Sequence, residues 1–125
     1  MQSIISDLKA RQDPRSTLML DILRALVAFG GSLWLSELPD AVNRLHLAEA
    51  EAPHREIKEF FDAVKELKSL KIIKVEEKVR ASEKAGGSTD ALITLTSDEV
   101  RLSLLSDDVL NKYYLSVGKL FEEKK

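Results

Sequence analysis

The stretch from Pro53 to Thr96 decides the fold: PHREIKEFFDAVKELKSLKII (53–73), KVEEKVR (74–80), ASEKAGGSTD (81–90) and ALITLT (91–96). In its first part Ile57, Phe60, Phe61, Val64, Leu67 and Leu70 recur at steps of three and four, which draws one apolar stripe along a helix. The spacing predicts a helix over Pro53 to Leu70 with Ile57, Phe61, Val64 and Leu67 buried. Pro53 suits a first helical position, where its missing N–H costs nothing. At Ile72 the period changes to two. Ile73, Val75 and Val79 then share one face of a strand, and Lys74, Glu76, Lys78 and Arg80 the other. Gly86-Gly87 marks a turn, because glycine tolerates positive φ. Ala91 to Thr96 alternates again, with Ile93 and Leu95 inward, so Ile72 to Arg80 is expected to pair with it antiparallel.

On these residues the chain resembles the winged helix-turn-helix superfamily. AVKELKSLKIIKVEE, a turn and ITLTSDEVRLSLL look like a recognition helix, a wing hairpin and the helix that follows. The resemblance covers roughly residues 17 to 105. It implies an α+β, mostly helical fold with a C-terminal amphipathic helix added. Most such domains bind duplex DNA; others are protein-binding modules inside larger machines.

The remaining sequence fits around that frame. At 125 residues, 44% hydrophobic and 32% charged, the chain reads as one domain with a modest core. It is expected to comprise an N-terminal extension (1–12), a core (13–105) and a C-terminal helix (106–125). The chain has no cysteine, which excludes disulfides, thiolate nucleophiles and thiolate metal sites. Early charges in MQSIISDLKARQD argue against a signal peptide, and no apolar run reaches membrane-spanning length, so a cytoplasmic protein is expected. Few Asn and Gln beside many Lys and Glu fit a heat-adapted source.

In chain order, Ile4, Ile5 and Leu8 give Met1 to Gln12 the apolar side of a short helix, with fraying as the alternative. Asp13-Pro14 opens the next helix as N-cap and first turn. Leu18, Ile22, Leu23, Leu26, Val27 and Phe29 form its apolar face, and Gly30-Gly31 stops it. Leu33, Trp34 and Leu35 predict a short strand, with Trp34 in the core. Ser36 is expected to cap ELPDAVNRL, with Leu38, Val42 and Leu45 inward. HLAEAEAP then makes a longer connection than the helix-turn-helix pattern uses. Ser97 caps DEVRLSLL, where Val100, Leu102, Leu104 and Leu105 are expected to be partly buried. Ser106, followed by Asp107-Asp108, reads as the cap of the last helix. In that helix Leu110, Tyr113, Tyr114, Val117, Leu120 and Phe121 make a stripe that suits either a homodimer interface or packing within the chain.

No catalytic constellation is present. His46 and His54 have no companion at metal-ligand spacing, and neither a GxSxG context nor a phosphate loop occurs. No enzyme activity, cofactor or metal is expected. Net charge is −2, yet from His54 to Lys84 nine cations face seven anions. By the resemblance, His54, Arg55, Lys58 and Lys65 on the helix, with Lys78, Arg80 and Lys84 on the wing, would contact double-stranded DNA. The expectation is a DNA-binding transcriptional regulator or chromatin-associated factor. The alternative is an adaptor that binds a protein partner in a larger replication or transcription complex.

Overall fold

A computed structural model describes residues 4–46, 57–80 and 88–123. Its centre is the helix Pro14–Ala28 (α2), preceded by the helix Ile4–Arg11 (α1). A short strand Ser32–Trp34 (β1), a 3-10 turn Leu35–Glu37 and the helix Leu38–Leu45 (α3) follow. Then come the helix Ile57–Ser69 (α4), the strands Ile73–Arg80 (β2) and Ser88–Leu95 (β3), and the helix Asp98–Ser103 (α5). A second 3-10 turn, Leu104–Ser106, leads into the last helix, Asp108–Glu123 (α6). The architecture is α+β and mostly helical, with one three-stranded antiparallel sheet in the order β1-β3-β2.

α2 is buried almost all round. Leu18, Met19, Leu20, Ile22, Leu23, Ala25 and Leu26 are all inside, and α1, α3, α4 and β3 pack about it. A helix buried on nearly every side is a core helix, and its neighbours supply most of the outward polar faces. The Asp13 carboxylate accepts the Ser16 N–H at 3.0 Å and starts it, with Pro14 in the first turn. It ends in a left-handed reversal at Gly30 (φ 97°) and Gly31 (φ 93°), where the Gly31 N–H reaches the Leu26 carbonyl at 2.6 Å. The Gly31 carbonyl then accepts the Leu95 N–H at 2.9 Å, which ties the helix end to the sheet.

α1 docks on this core through Ile5 and Leu8, so the N-terminal segment is packed rather than frayed from Ile4 onward. β2 and β3 pair from Ile73↔Leu95 to Arg80↔Ser88, with Ile73, Ile93 and Leu95 buried as the alternation predicts. β3 begins at Ser88, three residues before the expected Ala91. Lys71, with φ 63°, makes the turn out of α4, so the change of period at Ile72 has a backbone cause.

The structure corrects several expectations. Ile57 and Phe61 are 55% and 48% exposed; Phe60, Ala63, Val64 and Leu67 form the buried stripe of α4 instead. At about 100° per residue, Phe60 falls between Leu67 and Val64 inside the buried sector, whereas Phe61 falls about 60° beyond Val64 and outside it. Trp34 is only half-buried, and Leu35 leaves the strand for the 3-10 turn. The Ser36 hydroxyl does not cap α3 but donates to the Asp90 carboxylate. Leu102 and Leu105 are exposed, because α5 is short and only Val100 and Leu104 turn inward. Asp107 rather than Ser106 caps α6, its carboxylate accepting the Leu110 N–H at 3.1 Å. The expectations for Pro53 to Glu56, for the long connection after His46 and for the Gly86-Gly87 turn lie outside the described residues.

Candidate nucleic-acid interface

The solvent side of α4 is sorted by chemistry. At about 100° per residue, Ile57, Lys68, Phe61, Lys65 and Lys58 fall in that order within roughly 100° of the helix circumference. All five are exposed. Asp62, Glu66 and Glu59 occupy the next sector, about 60° wide. One half of the exposed surface is therefore apolar and cationic, and the other half is acidic. Lys65 Nζ stands 5.2 Å from the centroid of the Phe61 ring, a cation–π contact that sets the ammonium beside the aromatic.

Arg15 of α2 sits against the acidic half. Its guanidinium is 3.4 Å from the Glu66 carboxylate and 3.9 Å from that of Asp62. Exposed ion pairs contribute only about 0–1 kcal/mol to stability, so folding energy is not their main consequence. Their effect is on sign. Asp62 and Glu66 repel each other at i,i+4, and Arg15 supplies the counter-charge from a neighbouring helix.

On the hairpin, Lys74, Glu76 and Lys78 share the outward face of β2. The Glu76 carboxylate holds Lys74 Nζ at 2.8 Å and Lys78 Nζ at 3.4 Å. The hydrogen bond from Lys74, then that from Lys78, then the two ammonium charges hold the Glu76 carboxyl below its ordinary range. Lys78 is thus shared with an anion, and the three residues together carry one positive charge. Arg80 ends β2 opposite Ser88. Its side chain, like those of Leu120 and Phe121, lies outside the described ones, as do His54, Arg55 and Lys84 altogether. Of the expected nucleic-acid contacts, Lys58 and Lys65 share one face of α4 and Lys78 stands on the hairpin.

In α6, Leu110 is buried and Tyr113 packs edge-to-face on Phe29, with ring centroids 5.6 Å apart. Both are engaged within the chain. Tyr114 is 47% exposed, Val117 is half-buried, and Leu115, absent from the expected stripe, is 67% exposed.

A second cluster lies inside the protein. Arg24 donates through Nε and Nη2 to the two Asp107 oxygens at 2.9 and 3.0 Å, and through Nη1 to Asp21 at 2.9 Å. His46 Nε2 lies 3.1 Å from the other Asp21 oxygen, and Lys9 Nζ lies 3.1 Å from Asp107. The chain of charges runs from the end of α3 through α2 to the start of α6 and the side of α1. Its only sequence signal is a pair of charges inside the apolar run LMLDILRALV. Asp107 is fully buried and lies 83 positions from Arg24, so spacing alone does not reveal the pair.

Burial pushes the Asp107 carboxyl up. Hydrogen bonds from Arg24 and the Leu110 amide, the Arg24 charge and the Lys9 ammonium outweigh it and hold the group below its ordinary value. In acid the unfolded chain therefore binds this proton before the folded chain does. The stabilisation is complete above the unfolded carboxyl value of about 4 and is lost as pH falls through the lower folded value. Urea midpoints measured from pH 6 down to pH 2 should fall in the acid range, and Asp107→Asn should remove part of that slope. An unchanged slope in Asp107→Asn would show that other carboxylates carry it.

Among the described residues no helix is long and apolar enough to cross a membrane, and no three His, Asp or Glu side chains gather as a metal site. No protein-family model and no curated protein matches the chain.

Proposed function

We propose that this protein is a winged-helix protein that binds double-stranded DNA, as a transcriptional regulator or a chromatin-associated factor. The connectivity supports this: helix α2, strand β1, helices α3 and α4, then the β2–β3 hairpin, with β1 pairing on β3. That is the order of elements in a winged helix, with α4 as recognition helix and the hairpin as wing. The observation that carries the functional reading is the sorted surface of α4. Lys58, Lys65 and Lys68 share one exposed half, and the acids that would repel phosphate lie on the other, two of them against Arg15. The net charge of −2 counts against general affinity for polyanions; a local cationic face counts more than the sum. Two copies joined through Tyr114 and Val117 of α6 would present two such helices to one duplex.

Fluorescence anisotropy against a mixed-sequence duplex, from 50 to 200 mM salt, tests the reading. Binding should weaken linearly in log salt, and Lys58→Ala and Lys65→Ala should each lower the slope by about one. Absence of salt-sensitive binding by the folded chain would overturn it.

The second reading, an adaptor in a larger complex, has its own observation. Ile57 and Phe61, at i and i+4, leave an apolar strip in water on α4. A partner helix with apolar anchors and carboxylates would complement that strip and its lysines.

A further inference from the structure

Resting on the DNA-binding reading, we infer that Phe61 and Ile57 read thymine through its C5 methyl group in the major groove. Both side chains are large, apolar and about half exposed, and they stand one turn apart on the cationic sector of α4, Phe61 in its middle and Ile57 at the edge that borders the core. Lysine ammoniums suffice for phosphate contact, and an apolar pair adds nothing to it. Base edges in the major groove present hydrogen-bond donors and acceptors, with one apolar group among the four bases, the thymine methyl. Set against guanine or cytosine, Phe61 would cover polar atoms and leave them without water or a partner, which is unfavourable. Against thymine it covers a methyl.

The geometry sets the spacing. Residues four apart on a helix differ in height by about 6 Å. Stacked bases on one strand are about 3.4 Å apart. Ile57 and Phe61 therefore reach thymines that are adjacent or separated by one base. Lys65, over the Phe61 ring at 5.2 Å, holds the aromatic from the side and places an ammonium next to it. Lys58 and Lys65 fix one side of the helix on phosphates, and the apolar pair beside them selects the bases.

The test uses the full chain with four duplexes of one length: one rich in adjacent thymines, the same duplex with deoxyuridine for every thymidine, and a G/C duplex with and without 5-methylcytosine. Deoxyuridine removes the methyl and keeps the pairing. Wild type should prefer the thymine duplex by roughly fourfold for each methyl covered, the ratio that follows from burying one carbon. It should also bind the 5-methylcytosine duplex more tightly than its unmethylated counterpart. Phe61→Ala should lower the thymine-to-uracil ratio about fourfold, the double variant Ile57→Ala/Phe61→Ala should bring it close to one, and both should change affinity for the uracil duplex little; circular dichroism checks that the variants are folded. Equal wild-type affinity for thymine and uracil duplexes overturns the inference and leaves DNA binding intact. A thymine preference that is undiminished in Phe61→Ala, or that survives in the double variant, also overturns it. If the folded chain binds none of the duplexes, the DNA reading falls with it, and the strip belongs to a protein partner.

Discussion

Arg24→Ala should be among the most destabilising single substitutions in this protein, at about 3–5 kcal/mol. Arg24 is 8% exposed, and its guanidinium serves two carboxylates, with Asp107 held by two hydrogen bonds and Asp21 by one. Removing it leaves the buried Asp21 and Asp107 carboxylates without their shared cation, Asp21 beside His46 and Asp107 beside Lys9. Burying an unpaired charge is much more costly than forming the pair is favourable, so the loss exceeds the net worth of the interaction. Asp107→Ala should cost a similar amount, because it also removes the cap of α6. Urea unfolding should show the Arg24→Ala midpoint lower by on the order of 2 M at an unchanged slope. The double variant Arg24→Met/Asp107→Leu should recover much of the loss, since an apolar pair of similar volume often matches a buried ion pair. A midpoint for Arg24→Ala within about 0.3 M of wild type would mean that water reaches the cluster and screens it.

The elements were legible in the sequence wherever one physical signal acted alone. The change of period at Ile72, the Asp13-Pro14 start and the Gly30-Gly31 stop each follow from local backbone chemistry, and the structure has a strand, a helix start and a helix end there. Orientation was less legible. The apolar residues of α4 wrap too far round the helix to define one face, and small Ala63 gave no signal although it is fully buried. What turns α4 is its packing on α2, which a period cannot contain. The cap of α6 failed in a similar way. Ser106 and Asp107 are both good cap residues, and Arg24, from the other end of the chain, decides between them.

The candidate site shows the same division. Lys58 and Lys65 were visible as cations on an expected recognition helix, but Glu59 and Asp62 made its charge look mixed. The helical angle sorts the charges, but that Arg15 lies beside Asp62 and Glu66 is a tertiary contact, 51 positions apart for Arg15 and Glu66. The apolar strip was hidden for the opposite reason. Ile57 and Phe61 have the residue types of a core and stand on the steps of four and three that lead to Val64, so the apolar spacing assigns them inward.

Phe60→Ala and Phe61→Ala therefore form a decisive pair. Phe60 is 2% exposed, and truncating it should open a cavity between α4 and its neighbours at a cost of about 3–5 kcal/mol. Phe61 is 48% exposed and touches Lys65 from outside, so its truncation should cost no more than about 1 kcal/mol, mostly the cation–π contact. The two residues are chemically identical neighbours with the same helix propensity, so intrinsic effects cancel in the comparison. Thermal or urea unfolding of both variants gives the difference directly. If Phe61→Ala proved the more damaging, α4 would be turned by about 100°. Lys58 and Lys65 would then lie near the core boundary, and neither phosphate contact nor thymine readout by this helix would survive. If the order is as expected, any loss of duplex affinity in Phe61→Ala is a property of the surface, because the fold that presents it is intact.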